Sequence, residues 1–292
     1  MHPAPLVTVF GSLHYDVMVN SPGRPRRGET LAGTGWFPKC GGKGGNQAIA
    51  AVRAGGQGAM IGAVGDDDFG RALLANLDRS GVDRRHVRVE AAAKSGMSVA
   101  IVETEGDYGA IIVSGANLCL GAADVSAARG LLAETAILVL QNEVPDAANA
   151  AAAMAAKELG VRVLLNAAPA RRLSRELSQV VDVLVVNAVE AGDLSGRLVH
   201  GPQDALGVAE DLARSFPHVV VTLGGDGLVY AGQDAAFSLP AMPVKVVCTH
   251  GAGDEFIGTM AVHLAEGASM RSALIAANAA AAKFISTPEA TA

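Results

Sequence analysis

Short runs of aliphatic and β-branched residues punctuate the chain, most of them closed by glycine or a polar residue. They are LVTVF at 6–10, AMIGAV at 59–64, AILVLQ at 136–141, VRVLLN at 161–166, DVLVVN at 182–187 and VVVTLG at 219–224. Near-continuous apolar runs of this length predict strands buried on both faces. Helical patterning is predicted between them over 122–132, 146–158, 171–178, 188–195 and 203–214. Two short strands follow, and helices at 252–266 and 270–285 close the pattern. This alternation predicts an α/β fold, a three-layer sandwich whose mostly parallel central sheet is covered on both faces.

Two stretches break the rhythm. HYDVMVN at 14–20 alternates, GETLAGTGWF at 28–37 adds an extended segment, and the turn-rich SPGRPRRG lies between them. SGMSVAIVETEGDYGAIIVSGAN at 95–117 reads as two strands flanking a hairpin connection, TEGDYG. Residues 12–39 and 95–117 are therefore expected to form a small sheet projecting from the main domain. GGKGGNQAIAAVRAGG at 41–56 reads as a glycine loop running into a helix, and a further helix is predicted at RALLANLDRSG, residues 71–81.

Composition narrows the partners. Of 292 residues half are hydrophobic, 35 are glycine and 4% are aromatic, which suits many short elements joined by tight turns. The net charge of -6, from 23 basic and 29 acidic residues, gives no general attraction to nucleic acid or to an anionic membrane. Cys40, Cys119 and Cys248 have no metal-ligand spacing, and their odd number argues against a disulfide framework. With no charged leader before an apolar segment and no uninterrupted 18-residue apolar run, a soluble, cytoplasmic protein is expected.

Candidate chemistry gathers where strands end, since ligands of open parallel sheets bind beyond the carboxyl ends. Gln141-Asn142-Glu143, Asn166, Asn187 with Glu190, and Thr222 to Gly227 all fall there. GGKGGNQ is not a Walker A loop, because its lysine comes early and no Ser/Thr follows. Its glycines could bring backbone N–H groups to a ligand, or could serve a close helix–sheet contact. GAGD at 251–254 opens a helix whose unpaired amides can hold an anion. Asp254 within it reads either as a helix cap or as a base that accepts a hydroxyl proton. Asn187 and Glu190, three apart at a helix start, offer oxygen ligands suited to Mg²⁺, or form a cap. Cys248 reads as buried just before the turn.

In combination these motifs resemble the ribokinase-like (PfkB) carbohydrate kinase family over nearly the whole chain. The resemblance rests on GGKGGNQ, GAVGDDDFG, SGAN, LQNE, LLNAAPA, VVNAVEA, VTLGGDG and THGAGDEF. It implies one domain spanning 1–292 with a small β-sheet lid over a sugar, formed by residues 12–39 and 95–116, and, in many members, a homodimer formed by two lids. It implies that Asp254 is the base, with Gly251, Ala252 and Gly253 stabilising the transferring phosphoryl group. Sugar contacts carry over to Asp16, Gly42, Lys43, Asn46 and Glu143, joined by His14 on the same strand face. Asn187 and Glu190 would act on Mg²⁺, and Thr222, Gly224, Gly227 and Asn278 on the nucleotide, ATP.

Three departures stand out. His14 replaces an asparagine usual in the family, which suggests altered sugar choice. Cys248 replaces an aspartate belonging to a monovalent-cation site, and a neutral thiol is a poor ligand for K⁺. The chain ends in STPEATA, where relatives continue with an arginine-glycine loop and a final helix. K⁺ is therefore not expected to be required. Nucleophilic catalysis by Cys248 is disfavoured, since no histidine is evidently paired with it. The function expected is ATP-dependent phosphorylation of the primary hydroxyl of a small sugar, ribose or a similar pentose or furanose. A nucleoside kinase is the alternative within the class, and a non-catalytic sugar or nucleotide binder the alternative outside it. The basic cluster Arg24, Arg26 and Arg27 reads as solvated.

Overall fold

The first apolar run, β1 (Leu6–Phe10), lies inside a nine-stranded sheet, with a parallel neighbour on each side. The structure, a computed structural model, describes residues 3–103, 108–233 and 235–287. Residues 104–107 of the predicted connection TEGDYG therefore lie outside the described residues.

A second, four-stranded sheet forms the lid from β2 (His14–Ser21), β3 (Gly35–Gly41), β6 (Gly96–Glu103) and β7 (Tyr108–Val113), in the order β3-β2-β6-β7. The large sheet adds β4 (Gln57–Gly65) and β5 (Asp83–Glu90) on one side of β1. On the other side follow β8 (Ile137–Gln141), β9 (Arg162–Asn166), β10 (Val183–Asn187), β11 (His218–Thr222), β12 (Leu228–Gly232) and β13 (Ala236–Leu239). Pairing is parallel from β5 through β11, and β12 runs antiparallel to both its neighbours. β5 was not expected. Its charged sequence DRRHVRVE hides the alternation, and charge of this kind guards an edge strand against stray pairing.

Successive strand residues point to opposite faces, so each strand feeds two cores. Phe10, Ile61, Leu138, Leu140 and Leu165 pack on one side with α3 (Ala122–Ala127), α4 (Arg129–Glu134), α5 (Asp146–Glu158), α6 (Arg175–Ser178), α7 (Ala188–Ser195) and α8 (Pro202–Leu212). Val7, Val9, Met60, Val139 and Leu164 pack on the other with α1 (Lys43–Arg53), α2 (Asp68–Arg79), α9 (Ala252–Ala265) and α10 (Met270–Ser286). The expected helix over 122–132 is two helices instead. At Ala128 the backbone N–H is shared between Asp124 O and Val125 O, tightening the turn and ending α3. No helix among the described residues is long and apolar enough to cross a membrane.

One helix contact positions everything that follows. α9 lies against α1 at Gly258, where a Cβ would come within 2.5 Å of Ala50 Cβ and 2.7 Å of Ala51 N. This close crossing sets the first turns of the two helices side by side. Replacing Gly258 with Ala is expected to destabilise the fold by about 1–3 kcal/mol through overpacking, measured as a lower urea midpoint at unchanged slope.

Candidate active site

The turn before α9 takes the left-handed conformation at Gly251 (φ 87°), which releases the chain into the helix at Ala252. Asp254, in the first turn, does not cap it. Its carboxylate instead turns toward α1, where Oδ2 accepts from Asn46 Nδ2 at 2.9 Å and Oδ1 from Gln47 Nε2 at 2.9 Å. Burial pushes the Asp254 pKa up; Lys43, Asn46 and Gln47 oppose the rise, and Glu143 adds to it. The first-turn amides of α9 have no carbonyl partner within the helix, so the turn also favours negative charge.

The glycine loop ahead of α1 fits beneath the start of the lid. Gly42 is left-handed (φ 86°), and a Cβ on it would lie 2.7 Å from His14 N; one on Gly44 would lie 2.6 Å from Ser12 N. The close-contact reading of the loop therefore holds, and Gly42 also lines a cavity. Glu143, beyond β8, ties the two chain segments together. Its Oε2 accepts from Lys43 N at 2.9 Å and from Ser12 Oγ at 2.5 Å, with His14 Nδ1 3.6 Å away. Asn117 clamps the root of β2 by accepting from Leu13 N and donating to Leu13 O, each at 2.9 Å.

On β2, His14 and Asp16 share the buried face, as their spacing predicts. Ser98 on the neighbouring strand donates to Asp16 Oδ1 at 2.5 Å. Burial raises the Asp16 pKa, against the lowering effect of Ser98, His14 and His250, while Glu143 reinforces the rise.

These groups surround a cavity of about 320 Å³ between the lid and the carboxyl ends of the strands. His14, Asp16, Gly42, Lys43, Asn46, Glu143, Asn187, Glu190, Gly251, Gly253 and Asp254 all line it, as does Thr222. A shallower cavity of about 230 Å³ holds Thr222 and Gly224 and shares Asn187 with the first. Asn187 and Glu190 form a reciprocal capping box at α7, each side chain accepting from the other's backbone N–H at 2.9 and 2.8 Å. Burial raises the Glu190 pKa, partly offset by the Asn187 amide and by Lys43.

Not every expected residue reaches these cavities. Ala252 sits between the two lining glycines. Gly227 (φ 91°) lines neither cavity, and a Cβ there would collide with Leu239 O at 2.1 Å, so its place is in the turn's own packing. Asn278, on α10, donates to Pro240 O at 2.9 Å and also lies outside both. Cys248 is exposed, not buried as expected: the segment before the turn runs along the surface, with Val247 N and Cys248 N reaching Ile285 O.

Gln47, Ser12, Ser98 and His250 were not anticipated as members of this constellation. Gln47 stands next to Asn46 in the first turn of α1, and that adjacency was the available signal. Among the described residues no three or more His, Cys, Asp or Glu side chains converge as a metal cage. The oxygens of Asn187 and Glu190 nonetheless suit Mg²⁺ held largely by phosphate and its own waters, the usual manner of this ion beside nucleotides.

The sequence pattern of the pfkB family carbohydrate kinases matches residues 4–292. The chain belongs to this family. The pfkB chain is 35% identical to the ribokinase of Bacillus subtilis over 94% of its own length and 91% of that protein's. It is 32% identical to a deoxyribokinase of Salmonella typhi, over 92% and 88%. Among solved structures, Arabidopsis thaliana ribokinase complexed with ribose and ATP superposes with a TM-score of 0.89 at 29% identity, covering 99% of this chain and 94% of that one. The α/β sandwich with its smaller second sheet is thus the architecture of its relatives.

The Ser98–Asp16 pair gives this pfkB enzyme a pH signature. Removing the Ser98 donor raises the Asp16 pKa further, so the cost falls on the ionised form. Ser98→Ala is expected to lose about 1–3 kcal/mol of stability at pH near 8. The loss should shrink as acidification protonates Asp16, a trend that thermal unfolding at several pH values would measure.

Proposed function

We propose that this chain transfers the γ-phosphoryl group of ATP to the primary hydroxyl of a pentose, ribose being the first candidate, with Asp254 as the base. The observation that carries the reading is the placement of Asp254: buried, raised in pKa, facing the cavity, and set in the first turn of the helix that would receive the phosphoryl charge. An aspartate so placed accepts the hydroxyl proton as the oxygen attacks phosphorus in line, and the turn's amides meet the developing charge. A bound Mg²⁺ would supply further neutralisation of the phosphates, with Asn187 and Glu190 holding it directly or through water. Asp16, Gly42, Lys43, Asn46 and Glu143 would hold the sugar hydroxyls, and closure of the lid over them would exclude water as a competing acceptor. Thr222 and Gly224 would face the nucleotide, with Gly227 shaping their turn and Asn278 lying toward the adenine.

A second substrate within the class belongs in the assay, because a relative named deoxyribokinase matches at 32% identity beside the ribokinase at 35%. His14 stands beside Glu143 on the sugar wall and is buried to 3% exposure, so its imidazole is the feature through which choice between such sugars would be exerted. The lid carries a further implication. By the strand register Trp36, Val99, Ile111 and Val113 share one face, and all are exposed, which supports a homodimer formed lid to lid.

ADP release measured with ribose, deoxyribose, other pentoses and nucleosides would identify the acceptor. With the best acceptor, Asp254→Asn is expected to lower turnover by about 10²–10⁴-fold while sugar affinity stays within a few-fold. Near-normal turnover in that variant would falsify the assignment of the base.

Cys248 presents a thiol, and no hard oxygen, at the position corresponding to a cation ligand. Exchange of Na⁺ for K⁺ at constant ionic strength is therefore expected to change turnover by less than about twofold. A large activation by K⁺ would show that other oxygens rebuild the site.

A further inference from the structure

Gln47 is completely buried in the first turn of α1 and does not line the cavity beneath the lid, yet its side chain grips the proposed base. Nε2 donates to Asp254 Oδ1 at 2.9 Å and to Asn166 Oδ1 at 3.1 Å. At the other end of the amide, Oε1 accepts from Gln141 Nε2 at 2.8 Å. Asn166 is itself oriented, since its Nδ2 donates to Val185 O at 3.3 Å. Gln141 is completely buried at the end of β8, and Gly11 makes room for it: a Cβ on Gly11 would lie 1.9 Å from Gln141 Oε1.

An amide has one donor end and one acceptor end. Reversed, Gln47 would set its oxygen against both the Asp254 carboxylate and the Asn166 oxygen, and its NH₂ against that of Gln141. Asp254 and Asn166 therefore enforce one orientation of Gln47, and the Gln141 amide matches it. Buried amide donors of this kind favour the charged form of a carboxylate and fix its rotamer.

We propose that Gln47, braced at its far end by Gln141, is a positioning residue that keeps the Asp254 carboxylate aimed into the cavity and ionised for proton acceptance. The inference rests on Asp254 being the base. It differs from the role of Asn46, which also lines the cavity and can touch the sugar. The titratable and charged groups facing this part of the site are Lys43 on α1, Glu143 beyond β8, His14 and Asp16 on β2, Glu190 on α7 and His250 before the turn. Glu255, next to Asp254 in α9, is tied to Arg53 at 2.5 Å. Substituting Gln47 or Gln141 alters none of them.

The test is a pH profile of kcat and of sugar KM in the full chain, comparing wild type with Gln47→Leu, Gln141→Leu and Asp254→Asn. Loss of a donor to a carboxylate raises its pKa, so Gln47→Leu is expected to move the acid limb of kcat upward by about one pH unit. Turnover would then fall about tenfold more at acid pH than on the alkaline plateau, with KM for the sugar changed less than about twofold. Gln141→Leu, which does not touch Asp254, is expected to move the limb in the same direction by a smaller amount, and it carries the test if Gln47→Leu fails to fold. A limb that stays in place while kcat drops by one factor at every pH would reduce the role to packing and overturn the proposal. So would a rise in KM with the limb unmoved. An Asp254→Asn chain that keeps its turnover overturns the base itself, a failure visible without either glutamine variant.

Discussion

The site depends on burying one carboxylate at the crossing of two helices. Asp254 leaves water at the start of α9, a cost of several kcal/mol for an isolated charge, and what offsets it arrives from α1. Asn46 and Gln47 satisfy one oxygen each, Lys43 adds positive charge, and the helix terminus contributes its own field. None of this works if the helices stand further apart. The absence of a side chain at Gly258 is therefore linked to chemistry at Asp254, although the two residues make different contacts: close packing at one creates the hydrogen bonds at the other.

The same logic extends to the lid. β2 rises from the turn that Gly42 and Gly44 allow to pass, and Asn117 and Glu143 clamp its root. His14 and Asp16 thereby reach the cavity from a sheet that is otherwise held by its own ladder and by contact of Tyr15 with Phe69, stacked 4.3 Å apart. The lid is tethered at one end by polar contacts and presents apolar residues to solvent, Trp36 and Ile111 on the outer face and Phe37 on the other. That construction accords with the proposed closure over a ligand and the proposed lid-to-lid contact.

What the sequence made legible follows the range of the forces involved. Strands buried on both faces announce themselves by composition, and α5 occupies the predicted 146–158 because an alanine-rich amphipathic run needs no distant partner. β5 was illegible because its charges outweigh its weak alternation, and α3 ends within the predicted helix through a one-residue shift in hydrogen bonding. The motifs at 42–46, 187–190 and 251–254 were readable because each is a local backbone device. Gln47 was not, since its role depends on a carboxylate 207 residues away, nor was Ser98, whose partner is 82 residues distant. Cys248 was misplaced because an apolar, strand-like segment need not be covered: Val246 and Val247 are exposed as well.

The charge balance of the cavity poses the remaining physical problem. Asp16, Glu143, Glu190 and Asp254 all line it, against a single lysine or arginine, Lys43, among its described lining residues. Such a wall would repel a triphosphate if every carboxylate faced it bare. The geometry separates the tasks. Glu143 spends an oxygen on Lys43 N and Ser12, Asp16 on Ser98, and Glu190 on the Asn187 amide. Burial also raises the pKa of Asp16 and Glu190. Hydroxyl groups, which can donate to carboxylates, fit the side bounded by Asp16 and Glu143. On the proposed reading, phosphate would fit the side of the α9 amides, where a divalent ion would turn Glu190 from a repulsive group into a ligand. An acidic cavity of this form therefore favours a neutral polyol together with a metal-bound nucleotide over either a free nucleotide or an acceptor already carrying phosphate.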